Sequence, residues 1–89
     1  MKHQYLEVTF RRGKPLAAYL YLARKAGAKV VRSTDAGRGM RVDFDADGIP
    51  MGIEITAPAA VRAGDVNALL ARLGQPHLPL EELAPLQAA

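Results

Sequence analysis

The sequence predicts a small α+β domain with an antiparallel β-meander of three to four strands, one face of which is covered by C-terminal helices. Two observations lead to this prediction. Apolar and polar residues alternate over much of residues 5–56, as in half-buried strands, and apolar residues recur at helical spacing after residue 59. A chain of 89 residues forms one domain. We therefore expect residues 1–89 to fold together, with the sheet at about 5–56 and a helical tail at about 59–86.

The first strand is predicted from Leu6, Val8 and Phe10, which alternate with polar residues. The glycine and proline of residues 11–15 then predict a turn. The next segment, Leu16–Arg24, fits two structures. Its apolar residues alternate as in a strand buried on both faces, but most of them are also good helix formers.

A β-hairpin is the clearest element. Its apolar face is predicted to hold every second residue on both strands, at Met40, Val42, Phe44, Ile49, Met51, Ile53 and Ile55. A four-residue loop over 45–48 would place Phe44 opposite Ile49 and keep all these residues on one side. Before the hairpin, Val30 and Val31 predict a short strand that ends near residues 33–37.

The C-terminal part predicts two helices. In the first, apolar residues recur at i, i+3, i+4 and i+7, at Val66, Leu69, Leu70 and Leu73. Asp65 is the expected N-cap, and Gly74 and Pro76 end the helix. Pro79–Leu83 predicts a second, shorter helix. The predicted core is Leu6, Val8, Phe10, Leu20, Leu22, Val42, Phe44, Ile53, Leu69, Leu70 and Leu73.

Charge is unevenly distributed along the chain. Residues 1–41 carry a net charge of +8 and residues 42–89 a net charge of −5. Packing the two halves together would neutralise these charges, whereas a basic surface would bind nucleic acid or an acidic partner. The candidate interaction surface combines cations that attract phosphates with rings that stack on bases, at Arg11, Arg12, Lys14, Tyr19 and Tyr21.

Catalytic and metal-binding groups are scarce. With no cysteine, the chain has no disulfide, thiolate nucleophile or cysteine zinc site. Ser33 is the one serine, and His3 and His77 lie near opposite ends. We therefore predict no catalytic residue, no cofactor and no metal site, and the sequence Gly37–Gly39 is interpreted as a turn.

One motif imitates a calcium site. Asp43, Asp45, Asp47, Gly48 and Glu54 match the calcium-loop pattern in full. That loop lies between two helices, whereas both flanks here alternate with a period of two. The sequence therefore predicts a hairpin, with a weak cation site at the three aspartates as an alternative.

Cellular location is predicted from two expected absences. Residues 1–5 lack the apolar stretch of a signal peptide, and no apolar run approaches the length of a membrane span. Together with the lack of cysteine, this predicts a cytoplasmic protein without a membrane partner.

Three segments carry a family resemblance: Ala-Tyr-Leu-Tyr-Leu at 18–22, Met-Arg-Val-Asp-Phe-Asp-Ala-Asp-Gly at 40–48, and Gly-Ile-Glu-Ile at 52–55. They resemble the small bacterial family catalogued as domain of unknown function 2283, over about residues 5–56. The resemblance implies that Leu16–Arg24 is a strand, and it implies no catalytic residues. Similar proteins are often encoded beside small toxin-like proteins that resemble messenger-RNA interferases, which implies an antitoxin-like role. Members usually carry acidic residues in the first turn, where this chain is basic.

The resulting functional prediction is a non-enzymatic, antitoxin-like protein-interaction module with a toxin-like protein partner. A basic nucleic-acid-binding module and a weak cation-binding domain are the alternatives. Because the helices cover only one face of the sheet, Tyr19 and Tyr21 should stay partly exposed. We predict a homodimer in which one of these tyrosines contributes to the contact.

Overall fold

The computed structural model describes residues 4–87 and shows one antiparallel sheet with helices on one face. His3 lies outside the described residues. The strands are β1 (Tyr5–Arg11), β2 (Lys14–Tyr21), β3 (Arg32–Gly37), β4 (Met40–Phe44) and β5 (Pro50–Ile55). The helices are α1 (Ala63–Arg72) and α2 (Leu80–Leu83), with 3₁₀ turns at Pro58–Ala60 and Ala84–Gln87. No helix within residues 4–87 is long and apolar enough to cross a membrane.

The strand number and strand order differ from the predicted meander. The sheet has five strands in the order β1-β2-β5-β4-β3, so β2 pairs with β5 and not with β3. This pairing places Leu20 opposite Ile53, and both side chains are fully buried. The apolar strands thus occupy the middle of the sheet, and the polar strand β3 is left at an edge.

The segment Leu16–Arg24 is a strand as far as Tyr21, as the family resemblance implies, and the helical alternative is wrong. It forms most of β2, which pairs with β1 on one side and with β5 on the other. Leu20 and Leu22 are buried against the helices, whereas Tyr19 and Tyr21 lie on the opposite face and are half-buried. The helices cover only the face that holds Leu20 and Leu22, so the two tyrosines are shielded by neighbouring side chains of the sheet alone.

The strand predicted at Val30 and Val31 is displaced. The observed strand is β3, and both valines precede it and are exposed. Pairing with β4 selects the polar residues instead, with Ser33 opposite Asp43 and Thr34 opposite Val42. An edge strand needs little apolar surface, so the apolar residues Val30 and Val31 did not mark the position of β3.

The β4–β5 hairpin forms, but in another register. Val42 pairs with Ile53, two positions from the predicted partner, so the apolar residues of both strands still face the core, but Ile49 lies in the loop and is exposed. The loop has five residues, because the Asp45 Oδ1 atom accepts hydrogen bonds from the N–H groups of Asp47 (2.8 Å) and Ile49 (3.0 Å). A bulge between Asp43 and Phe44 accommodates the odd residue.

The core lies between the sheet and the C-terminal helices, on what we term the helical face. Leu6, Val8, Phe44 and Leu73 pack at the margin of the buried cluster. Phe10 is 48% exposed, so its assignment to the core is wrong: it follows a bulge near the β1–β2 turn, outside the buried cluster. The buried residues that the predicted core omitted are Ala18, Met40, Met51, Ile55, Val61, Val66, Leu78, Leu83 and Leu86.

Helix α1 begins three residues earlier than predicted, with Arg62 and not Asp65 at the N-cap. Asp65 is its third residue, and one carboxylate oxygen accepts the N–H of Arg62 at 3.0 Å. Gly74 ends the helix with a positive φ, which allows the Gln75 N–H to donate to the Leu70 carbonyl at 2.8 Å.

Candidate interaction surfaces

The face of the sheet opposite the helices is the first candidate site, and we term it the open face. Strand alternation and pairing place on it Tyr5, Glu7, Thr9, Ala17, Tyr19, Tyr21, Ser33, Asp35, Arg41, Asp43, Gly52 and Glu54. The buried residues of α1 and α2 belong to the core cluster on the helical face. The open face is therefore available for contacts that the core does not use.

A hydrogen-bonded bridge crosses the centre of the open face. The Tyr19 side chain passes over β5 at Gly52, and its hydroxyl donates to the Asp43 Oδ2 atom at 2.7 Å. The other carboxylate oxygen of Asp43 accepts a hydrogen bond from the Ser33 hydroxyl. A Cβ atom at Gly52 would overlap the Tyr19 ring, so the glycine is required for space.

Tyr19 is a neutral hydrogen-bond donor in this bridge. Burial raises its pKa to about 12, and the hydrogen bond to the Asp43 carboxylate adds to the increase. A phenol with so high a pKa stays protonated at neutral pH and is a poor general base. The exposed Ser33 donates its hydroxyl to the same Asp43 carboxylate, and no histidine among the described residues stands beside it, since His77 is exposed in the segment after α1.

A cluster of three tyrosine rings covers one end of the open face. The rings of Tyr5 and Tyr21 stack with centroids 4.4 Å apart, and Tyr19 meets Tyr21 edge-on at 4.7 Å. The Tyr21 hydroxyl donates to the Glu7 carboxylate at 3.2 Å, and its pKa is raised by desolvation and then by this bond. The cluster is a rigid, amphipathic surface of the kind enriched in protein interfaces.

The open face is acidic. It holds the carboxylates of Glu7, Asp35, Asp43 and Glu54 against the single guanidinium of Arg41, a net charge of −3. Arg24 lies at its rim, with its guanidinium 5.5 Å from the Tyr21 ring centroid and donating to the Met51 carbonyl at 2.5 Å. This face is therefore suited to a basic partner and would repel phosphates.

Basic residues gather at one end of the sheet. Two-residue turns join β1 to β2 at Arg12-Gly13 and β3 to β4 at Arg38-Gly39, and all four residues have positive φ. Strands β2 and β4 both pair antiparallel with β5, so they run in the same direction and both begin at this end. We term this region the Arg-Gly end; it comprises Arg11, Arg12, Gly13, Lys14, Arg38 and Gly39. The interpretation of Gly37–Gly39 as a strand-connecting turn is confirmed.

The structure separates the residues predicted as one interaction surface. Arg11 and Lys14 pair with each other at the Arg-Gly end, whereas Tyr19 and Tyr21 lie five and seven residues further along β2. At strand spacing this is about 17 to 23 Å. The cations and the tyrosines therefore belong to two surfaces.

Sequence reasoning missed several residues of these surfaces. Arg38 at the Arg-Gly end could have been found from the Arg-Gly pair that precedes both β2 and β4. The tyrosine bridge to Asp43 had no local signal, because Tyr19 and Asp43 lie 24 residues apart in the chain.

The calcium-like motif forms a hairpin, as the alternation predicted. Asp43 lies on the open face, Asp45 accepts two backbone N–H groups of the turn, and Glu54 stands opposite Arg41. Within residues 4–87, no group of three or more His, Asp or Glu side chains is arranged to hold a metal ion.

Comparison with known proteins adds no assignment. No protein-family model, curated protein or solved structure matches the chain. The resemblance to domain of unknown function 2283 therefore stays a prediction.

Proposed function

We propose that the protein is a non-enzymatic interaction module, antitoxin-like in role, that binds a basic protein on its open face. The observation that supports this proposal is the composition of that face, where three tyrosines stand among four carboxylates and one arginine. Tyrosine supplies contact area at a small cost in conformational entropy, and complementary charge accelerates association. The bridge from Tyr19 to Asp43 holds the centre of the face in one conformation before a partner arrives.

The basic first turn is compatible with this partner. Arg11, Arg12 and Lys14 depart from the acidic turn of the family that the chain resembles, and an acidic turn would suit an inhibitor of a basic toxin-like protein. These cations lie at the Arg-Gly end and not among the residues of the open face. They therefore leave the negative charge of the open face available to a basic surface.

The test is a charge reversal on the open face with a matched control. Glu7→Lys/Glu54→Lys changes the open face, and Glu81→Lys/Glu82→Lys makes the same change in charge on α2. Each tagged protein is used as bait in host lysate, with quantitative mass spectrometry. A basic protein should bind to the wild type and to the α2 variant but not to the open-face variant. The purified pair should then show about tenfold weaker binding for the open-face variant. Indistinguishable sets of bound proteins for all three baits would overturn the proposal.

A basic nucleic-acid-binding module is the second candidate, and the Arg-Gly end favours it. Arg11, Arg12, Lys14 and Arg38 are exposed at one end of the sheet, and they can release counterions from several phosphates. The first three also line a shallow groove of about 360 Å³.

Gel shifts with single-stranded RNA and with duplex DNA test this candidate. Replacing the four cations by alanine should abolish retention at low salt, whereas Lys25→Ala/Lys29→Ala/Arg32→Ala, around the β2–β3 connection, should preserve most of it. Absence of retention by the wild type at low salt would remove the candidate. Equal losses in the two variants would show that binding follows net charge alone.

A further inference from the structure

An unfilled groove borders the edge strand β3 on the helical face. We term it the β3 groove; its floor is formed by Met40, Val42 and Phe44 of β4 and by Leu69 and Leu73 of α1. It has two connected parts of about 350 and 280 Å³, both lined by Ala36, Leu69 and Arg72. Met40, Val42 and Leu69 are at most 3% exposed, so the floor belongs to the core and is rigid.

The groove exists because β3 carries small or polar side chains where the other strands carry large apolar ones. Thr34 pairs with Val42, and Ala36, at the bulge between Asp35 and Gly37, lines the groove together with Met40. The sheet therefore extends one strand, β3, beyond the strands whose large apolar side chains form the core. Apolar side chains supplied from outside would bury the side chains that are still partly exposed at this margin, those of Ala36, Phe44 and Leu73.

Strand β3 also offers backbone groups to a further strand. It is the last strand on its side of the sheet, and five of its six residues are exposed. The outward N–H and C=O groups of an edge strand can pair with an extended peptide, which then places every second side chain on the same face. One extended peptide would thus pair with the backbone of β3 and place its apolar side chains in the β3 groove.

The charge at the groove favours an acidic occupant. Arg72 has no hydrogen-bond or ion-pair partner among residues 4–87, and Arg32 lies 4.4 Å from the Phe44 ring centroid. Arg38 is near Asp65, at 3.8 Å, and Asp35 also lines the groove. The three arginines outnumber these two aspartates, which leaves a net positive charge. A carboxylate beside the apolar side chains of the occupant would complement this charge.

A second copy of this chain fits the groove poorly. Pairing β3 with β3 would present Arg32, Thr34 and Ala36 to each groove, and these side chains are basic, polar or small. The other edge strand, β1, already packs Leu6 and Val8 against its own core. Neither edge offers the apolar and acidic side chains that the groove requires.

We propose that β3 accepts an extended segment of another protein as a sixth strand, with two apolar side chains in the β3 groove and a neighbouring carboxylate against Arg72. This site lies at the β3 edge, where it shares Arg38 with the Arg-Gly end and Asp35 with the margin of the open face. It binds a linear peptide, whereas the open face is suited to a folded basic surface.

The probe is the capped hexapeptide Thr-Leu-Thr-Leu-Thr-Glu, with a control in which lysine replaces the glutamate. Titration should saturate, with amide NMR shifts at residues 32–37 and at Leu69 and Leu73 but not at Tyr19 or Tyr21. Arg72→Glu should weaken the glutamate peptide about fivefold and improve the lysine peptide, whereas Arg62→Glu, outside the groove, should change neither by more than about twofold. Ala36→Leu fills the groove and should abolish binding of both peptides while the spectrum stays that of the folded protein.

Three results would overturn the proposal. One is no saturation by about 1 mM peptide. Another is a set of shifts centred on the open face, or equal effects of Arg72→Glu and Arg62→Glu. The third is light scattering that shows a dimer, with the amides of residues 32–37 shifting with protein concentration alone, because a second copy would then occupy the edge.

Discussion

The two faces of the sheet are built from the same strands but are held by different forces. On β2, Leu20 faces the helices and is fully buried, while its neighbour Tyr19 lies on the open face and bonds to Asp43. Apolar burial dominates on the helical face, and hydrogen bonds between half-exposed side chains dominate on the open face. The difference indicates that stability resides mainly on the helical face, and the proposed binding of a basic partner uses the other face. Substitutions on the two faces should therefore have separable effects.

The largest effect is expected on the helical face. Leu20→Ala should lower the free energy of unfolding by about 2–5 kcal/mol, because it removes a fully buried side chain and leaves a cavity. Thr9→Ala, on the exposed part of the open face, should stay within about 0.5 kcal/mol of the wild type. Urea unfolding measures both changes. A loss below about 1 kcal/mol for Leu20→Ala would contradict the division between the faces.

An intermediate effect is expected at Gly52, where the open face depends on a missing side chain. Gly52→Ala should cost about 1 kcal/mol, because its Cβ displaces the Tyr19 ring and breaks the bond to Asp43. In a Tyr19→Ala background the same change should be neutral or stabilising, since alanine restricts the unfolded chain more than glycine. The two substitutions thus form a double-mutant cycle. Equal costs of Gly52→Ala in the two backgrounds would show that the ring is not the cause.

The sequence predicted which side chains share a face better than it predicted which strands are neighbours. Alternation placed Val42, Ile53 and Leu20 on the buried face, as observed. It could not choose between hairpin registers that differ by two, because both keep that face apolar. The five-residue loop depends on the Asp45 carboxylate, which alternation does not describe.

The residues of the candidate sites could be predicted from the sequence only in part, for a similar reason. Arg11, Arg12 and Lys14 were found because they are adjacent in sequence, whereas Arg38 joins them only through the pairing of β2 and β4 with β5. Likewise, the negative charge of the open face arises from carboxylates on four different strands. A surface assembled across strands requires the strand order, and the polar edge strand β3 gave no apolar pattern from which that order could be read.

A smaller effect should appear at high pH and should be confined to the open face. The folded-state pKa of Tyr19 is about 12, above the ordinary tyrosine value of 10.0, so its contribution to stability is complete below pH 10 and is lost as the pH rises toward 12. Asp43→Asn should lower this pKa, because the phenolate would no longer face a carboxylate. Absorbance titration of tyrosinate, compared with a Tyr19→Phe variant, measures the shift. An unchanged titration of Tyr19 in Asp43→Asn would leave burial as its sole cause.

The smallest effect is expected at the two Arg-Gly turns, which belong to neither face. Arg12 and Arg38 each have a φ of 54°, a left-handed conformation that asparagine adopts more readily than arginine. Arg12→Asn and Arg38→Asn should therefore each raise the free energy of unfolding by a few tenths of a kcal/mol, and the gains should add if the turns are independent. Arg12→Val should destabilise the protein, because a β-branched residue resists positive φ.

If the Arg-Gly end binds phosphates, each asparagine variant should also reduce the slope of log affinity against log salt by about one. Higher stability with weaker nucleic-acid binding would show that arginine is kept in these turns for its charge. Lower stability of the asparagine variants would mean that the arginine side chains stabilise the turns.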